Sequence, residues 1–165
     1  VQWFKGIWEA IQICEMAGIG LDVVGPVDHI QGDWYVPFAK QHERNGQVVF
    51  HGEVSQEKKI EMMQKASVGI SVPNHCEAFG LSVVETEACG TPMVTNTSGA
   101  LPELVPNENS CRDMMRAVRR VREIVENDKY GPRDYRAIVE KDFSLQQMKK
   151  RYDLVISDAL SDISW

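Results

Sequence analysis

Residues 69–96, GISVPNHCEAFGLSVVETEACGTPMVTN, read as strand, loop, helix and strand in succession. GISV (69–72) is a short apolar run, and Pro73-Asn74-His75-Cys76 breaks it. A helix is expected from about Gly80 to Cys89, after which a Gly-Thr-Pro turn leads into PMVTN at 92–96. Parallel strands need a crossover between them, and a helix is the usual one, so this stretch is one unit of a parallel sheet.

The same unit extends toward the N-terminus. Ile7, Trp8, Ile11 and Cys14 recur at helical spacing between Lys5 and Ala17, Gly18 and Gly20 end that helix, and LDVVG (21–25) reads as a strand. A helix is plausible at Val36–Glu43. Gln47–Phe50 is expected to be a strand buried on both faces, leading through HGEVS into a helix capped by Ser55, with Glu57 at the positive end of its dipole and Ile60, Met63 and Ala66 as its buried stripe. After Val105 the pattern is helical to the end. Ser144 with Gln147 reads as a capping box ahead of a stripe of Leu145, Met148, Tyr152, Val155 and Ala159. The fold class is therefore α/β, a Rossmann-like open parallel sheet with helices on both faces.

Length and charge narrow the function. The 165 residues suit one domain, 1–165, with its C-terminal helices starting near position 110. Eighteen basic residues against 24 acidic ones give a net charge of −6, which argues against nucleic acid or an anionic membrane as the main partner. No apolar run approaches the ~20 residues of a membrane span. Four cysteines without metal spacing are too sparse for a disulfide scaffold, so a cytoplasmic location is expected.

The chemistry concentrates where the loop meets the helix. In open parallel sheets ligands bind outside the carboxyl ends of the strands, where free amides at a helix N-terminus attract anions. Gly80 there is expected to let the backbone approach a phosphate closely. Glu77 precedes that N-terminus. Glu85 lies five residues inside the helix, about 7–8 Å along its axis, roughly the reach of a ribose. Carboxylates accept from sugar hydroxyls, so acids on either side of a phosphate site suit a nucleotide sugar. Glu85 is expected to lie on the stripe of Leu81, Val84 and Ala88.

PNHCEAFGLSVVETEACGTPMVTNTSGALPE, with KGIWEAIQI, LDVVG and VVFHGEVS ahead of it in the same order, closely resembles the donor-binding segment of retaining GT-B glycosyltransferases of the family-4 type. The resemblance covers residues 5 to about 105 and implies one half of a GT-B fold, the C-terminal, donor-binding domain, with an acceptor-binding domain before it in the same polypeptide. It implies Glu77 on the donor sugar's hydroxyls, Glu85 on the ribose, backbone contacts to sugar and diphosphate around Phe79, Gly80 and Leu81, and Lys5 on the diphosphate. Val54 and Lys59 fall where the family lines its base pocket. The implied activity is transfer of a sugar, of hexosyltransferase type, from a nucleoside diphosphate to an acceptor with retention of configuration. Any membrane association would come through the acceptor domain, and the 165-residue stretch alone is expected to be inactive.

Two departures stand out. The family's arginine six residues ahead of Lys5 would precede residue 1, and the glycine-bearing turn and strand that follow Pro-Glu have no clear counterpart between Val105 and Ser110. No Asp-any-Asp pair occurs, so a metal clamp on the diphosphate is not expected, and a helix N-terminus with cationic side chains can take its place. No cofactor is expected beyond the donor substrate.

The rival readings are a nucleotide-sugar epimerase of the same architecture and a non-catalytic nucleotide-sugar sensing or scaffold module. His75 and Cys76 are read as plain loop residues, Cys89 as small packing, the Met62-Met63 and Met114-Met115 pairs as core filler, and Arg116–Arg122 as a solvated face on which an acidic surface could bind.

Overall fold

The computed structural model describes residues 3–26, 47–127 and 135–161. A 3-10 turn at Trp3–Lys5 leads into α1 (Ile7–Ala17), followed by β1 (Leu21–Val24) and β2 (Val48–Gly52). Then come α2 (Gln56–Lys65), β3 (Gly69–Ser71), α3 (Leu81–Ala88), β4 (Met93–Asn96), α4 (Leu101–Leu104) and β5 (Ser110–Cys111). Three helices close the chain, α5 (Met114–Glu126), α6 (Tyr135–Phe143) and α7 (Leu145–Leu160). The helix expected at Val36–Glu43 lies outside the described residues.

Every strand pairing is parallel. β1 pairs with β2, Leu21 opposite Val48, while β3, β4 and β5 form a second sheet in that order, with Ile70 opposite Val94 and Thr95 opposite Ser110. β5 is the strand that looked absent after Pro102-Glu103. Its two residues carry no apolar run, and only pairing to Thr95 and Asn96 reveals it.

Alternation along β4 shows why helices cover both faces. Val94 joins Ala10 and Ile13 of α1 and Ala117, Val118 and Val121 of α5 in one core. Met93, the next side chain along, points the other way and packs with Val83, Leu101 and Leu104. Both are buried, so β4 is apolar on two faces. α1 also covers the first sheet, where Ile11 packs on Val23 and Val48. Burying these aliphatic side chains contributes about 1.5–3 kcal/mol each.

Burial departs from the sequence expectation in several places. β2 is buried on one face: Val48 is buried while Val49 is exposed. α2 buries no residue; Met63 is half-buried and Ile60 and Ala66 are exposed, and the helix is tied down by its Ser55 cap and by Thr91, whose hydroxyl donates to the Met63 carbonyl. Met114 and Met63 are half-buried, but Met115 is exposed. In α5, Arg116, Arg119 and Arg122 are solvated as expected, whereas Arg120 is buried and donates to Asn109 Oδ1 at 2.7 Å.

Ser144 does cap α7, accepting the Gln147 amide at 3.3 Å. The stripe behind it stays exposed: Leu145, Met148, Tyr152 and Val155 all face solvent in the described structure. No helix among the described residues is long and apolar enough to cross a membrane.

Candidate functional site

The loop from Pro73 to Glu77 leaves the carboxyl end of β3 and is held from two sides. On one side the Phe4 carbonyl accepts the Asn74 amide at 2.8 Å and His75 Nδ1 at 3.1 Å, and Asn74 Nδ2 donates to Glu9 Oε1 at 2.7 Å. On the other, Asn96 Nδ2 donates to the Pro73 carbonyl at 2.8 Å, the Ser98 hydroxyl donates to the His75 carbonyl, and the Ala100 amide donates to the Glu77 carbonyl at 2.9 Å. Gly99 makes that last contact possible. Its φ is +55°, and a Cβ there would sit 2.0 Å from the Glu77 oxygen.

These anchors bring Lys5 and Glu77, 72 residues apart, into contact. Lys5 Nζ lies 2.9 Å from Glu77 Oε2, and His75 Nε2 lies 3.4 Å from the same oxygen. The Glu77 side chain is largely shielded, 17% exposed, and the Lys5 hydrogen bond holds its carboxyl below the usual carboxylate range against the opposing effect of burial. The two residues that the family resemblance assigns to a donor's diphosphate and sugar form an ion pair with each other.

A second pair has the same form. Lys59 of α2 reaches Glu85 of α3, Nζ to Oε2 at 3.0 Å. Glu85 is not on a buried stripe, because α3 turns Val83, Thr86 and Glu87 inward instead, leaving Leu81 and Glu85 outside. Val54 is half-buried in the loop between β2 and the Ser55 cap of α2.

Between the two pairs lies the N-terminus of α3. No side chain caps it; the Gly80 carbonyl accepts the Val83 amide at 3.0 Å and the Val84 amide at 3.3 Å, and the positive end of the helix lies at Gly80 and Leu81. Leu81 is exposed, and Phe79 meets Phe143 of α6 edge-on, ring centroids 5.8 Å apart. Gly80 is buried, and the space a side chain would fill is taken by Leu101 and Leu104, 2.8 and 3.0 Å from a built Cβ, so the glycine also admits the core beneath the loop.

Two residues were missed in the sequence. His75, read as a plain loop residue, lies with Nε2 3.4 Å from the Glu77 carboxylate, and nothing in the irregular loop sequence signalled that approach. Glu87 is the acid of α3 that is buried, 1% exposed, and burial pushes it up to about 8 against a pull from the Met93 amide. Nothing in its spacing separated it from Glu85.

The Glycosyl transferases group 1 family model matches residues 4–142. A glycogen synthase of Mycobacterium tuberculosis is 29% identical over 147 residues, covering 83% of this chain and 35% of the relative. A D-inositol 3-phosphate glycosyltransferase of Thermobifida fusca is 31% identical over 101 residues, 61% of this chain and 20% of that protein. Among solved structures, Anabaena Alr3699/HepE in complex with UDP and glucose superposes with a TM-score of 0.77 at 20% identity, over 99% of this chain and 46% of the other. The C-terminal domain of a glycosyl transferase group 1 family protein (LpcC) from Francisella tularensis gives 0.72 at 18% identity, over 88% of this chain and 83% of that one. The chain thus spans about a third of the length of the glycogen synthase it matches and under half of the Anabaena chain. These likenesses show the fold, one parallel-sheet half of the GT-B architecture.

Proposed function

The chain belongs to the glycosyl transferases group 1 family, and from that premise we propose that it binds a nucleoside-diphosphate sugar for transfer to an acceptor with retention of configuration. The observation that carries the reading is the pair of lysine-held acids on either side of an uncapped helix N-terminus, Lys5–Glu77 before α3 and Lys59–Glu85 within it. A diphosphate seated on the α3 amides would draw Lys5, leaving Glu77 to accept from the sugar's hydroxyls and Glu85 from the ribose. Val54 borders the base. The backbone around Phe79, Gly80 and Leu81 is assigned to the sugar and diphosphate and would stabilise the diphosphate as it leaves, the role that a metal fills in other architectures; the Phe79 amide also bonds the Glu77 carboxylate. A UDP-bound likeness in the Anabaena structure agrees with such a donor.

The remaining length of the relatives is assigned to the acceptor side. Positioning an acceptor hydroxyl against the anomeric carbon supplies up to about 7–11 kcal/mol in favourable cases, so the 165-residue stretch alone is expected to bind donor without transferring sugar. Four free cysteines fit a cytoplasmic enzyme.

The test is a binding and turnover series with UDP-, GDP- and ADP-sugars. Glu77→Ala should weaken the cognate sugar nucleotide while leaving the bare nucleoside diphosphate within about twofold, EDTA should change neither, and the whole polypeptide should give a product of unchanged anomeric configuration. Equal weakening of both ligands by Glu77→Ala would reassign that residue, and an inverted product would end the retaining reading.

A further inference from the structure

The Phe4 carbonyl is an acceptor, so the His75 Nδ1 that lies 3.1 Å from it carries a proton and donates. In the neutral ring Nε2 is then an unprotonated nitrogen 3.4 Å from the Glu77 oxygen, and a second proton makes that contact an ion pair. The ring is not free to turn aside. Its edge packs against Phe4, centroids 5.1 Å apart at 84°, and its backbone carbonyl takes the Ser98 hydroxyl.

The two cations on Glu77 differ in freedom. Lys5 is 46% exposed at the end of a flexible stem, whereas the Glu77 carboxylate is fixed and mostly shielded from water. An arriving diphosphate attracts Lys5, and a shielded carboxylate deprived of its cation is costly. We propose that His75 is a positioning residue: protonated on both ring nitrogens, it holds and neutralises Glu77 when Lys5 turns from that carboxylate to the diphosphate of the donor. The inference rests on the donor assignment of Lys5 and Glu77 made above. The charged groups around the ring are Lys5 from the 3-10 turn, Glu77 from its own loop, and Glu9 of α1 acting through Asn74.

The sign of the pH effect follows. With the imidazole protonated on both nitrogens, Lys5 leaves Glu77 at low cost and the donor binds tightly. With the imidazole neutral, the departure of Lys5 leaves the shielded Glu77 carboxylate without a cation, and binding weakens.

Calorimetry on the whole polypeptide with UDP-glucose, ADP-glucose and GDP-mannose as probes tests this, since their diphosphate diesters stay fully ionised across the imidazole range of about pH 5 to 8. The best-bound probe should weaken about fivefold across that range in the unaltered protein, the weight of one partly shielded ion pair. His75→Gln should bind with a pH-independent affinity near the alkaline value, and Glu77→Gln should lose the pH dependence as well. A flat profile in the unaltered protein, the same slope in His75→Gln, or an equal loss at every pH in that variant overturns the role of His75 while leaving the donor assignment standing. Failure of all three probes to bind at any pH removes the donor assignment and this inference with it.

Discussion

Lys59 and Glu85 join α2 to α3, Nζ to Oε2 at 3.0 Å, across 26 residues of chain. The helices that follow β2 and β3 are thereby joined about 7–8 Å along α3 from its N-terminus. On the role proposed for Glu85, Lys59 would share or release that carboxylate when a ribose is held.

Glu85→Ala is therefore expected to weaken a ribonucleoside diphosphate by about 1 kcal/mol, the low end for a charged acceptor that is half exposed. A 2′,3′-dideoxy analogue should lose far less. Calorimetry with both ligands checks it, and equal losses would remove Glu85 from the ribose.

Gly99→Ala should destabilise the domain by about 2–4 kcal/mol, because the new Cβ falls 2.0 Å from the Glu77 carbonyl oxygen and the φ of +55° is strained for alanine. Gly90→Ala is the control: its φ is +89°, yet a Cβ there meets nothing within 4 Å. Urea melts that place the two variants level would show that the loop after β4 yields easily and does not clamp Glu77.

The buried acid Glu87 gives a pH signature. Its carboxyl is lifted from 4.5 to about 8, chiefly by burial, so between those values the folded chain keeps a proton that the unfolded chain releases. Its contribution to stability is whole below about 4.5 and is lost as pH rises through about 8. Glu87→Gln should remove that slope and gain about 2 kcal/mol over the parent near pH 9. Parallel stability profiles for parent and variant would exclude Glu87 as the titrating group.

Thiol reactivity should sort the cysteines by position. Cys76 is exposed beside Glu77, whereas Cys14 is buried and its thiol is pushed up to about 12 by burial, with Glu15 adding to the effect. Burial raises Cys111 as well. Iodoacetamide is expected to label Cys76 first, Cys14 and Cys111 following at the rate of unfolding. Early labelling of Cys14 would mean that α1 lifts from the sheet in the folded state.

Much of the sheet was legible because short apolar runs bounded by glycine, proline and serine have few other readings. LDVV, VVF, GIS and MVTN all became strands, and Gly18 ended α1 where expected. The approach of Lys5 to Glu77 and of Lys59 to Glu85 was legible in outline, since each residue had been placed around one ligand, although the ion pairs themselves were not foreseen. The rotation of α3 was not legible. Val83 and Val84 adjoin, and eight residues carry two interleaved stripes, 81-84-88 and 83-86-87, of which packing on Met93 and Leu101 selects the second. β5 was hidden because two residues have no period.

The edge-on contact of Phe79 with Phe143 ties the loop at α3 to the last residue of α6, and a single residue, Ser144, separates that aromatic from α7. α7 is 16 residues long, a rigid arm of about 24 Å with its apolar side uncovered along most of its length. The Phe79–Phe143 contact is therefore the point at which the arm formed by α7 adjoins the loop that carries Glu77.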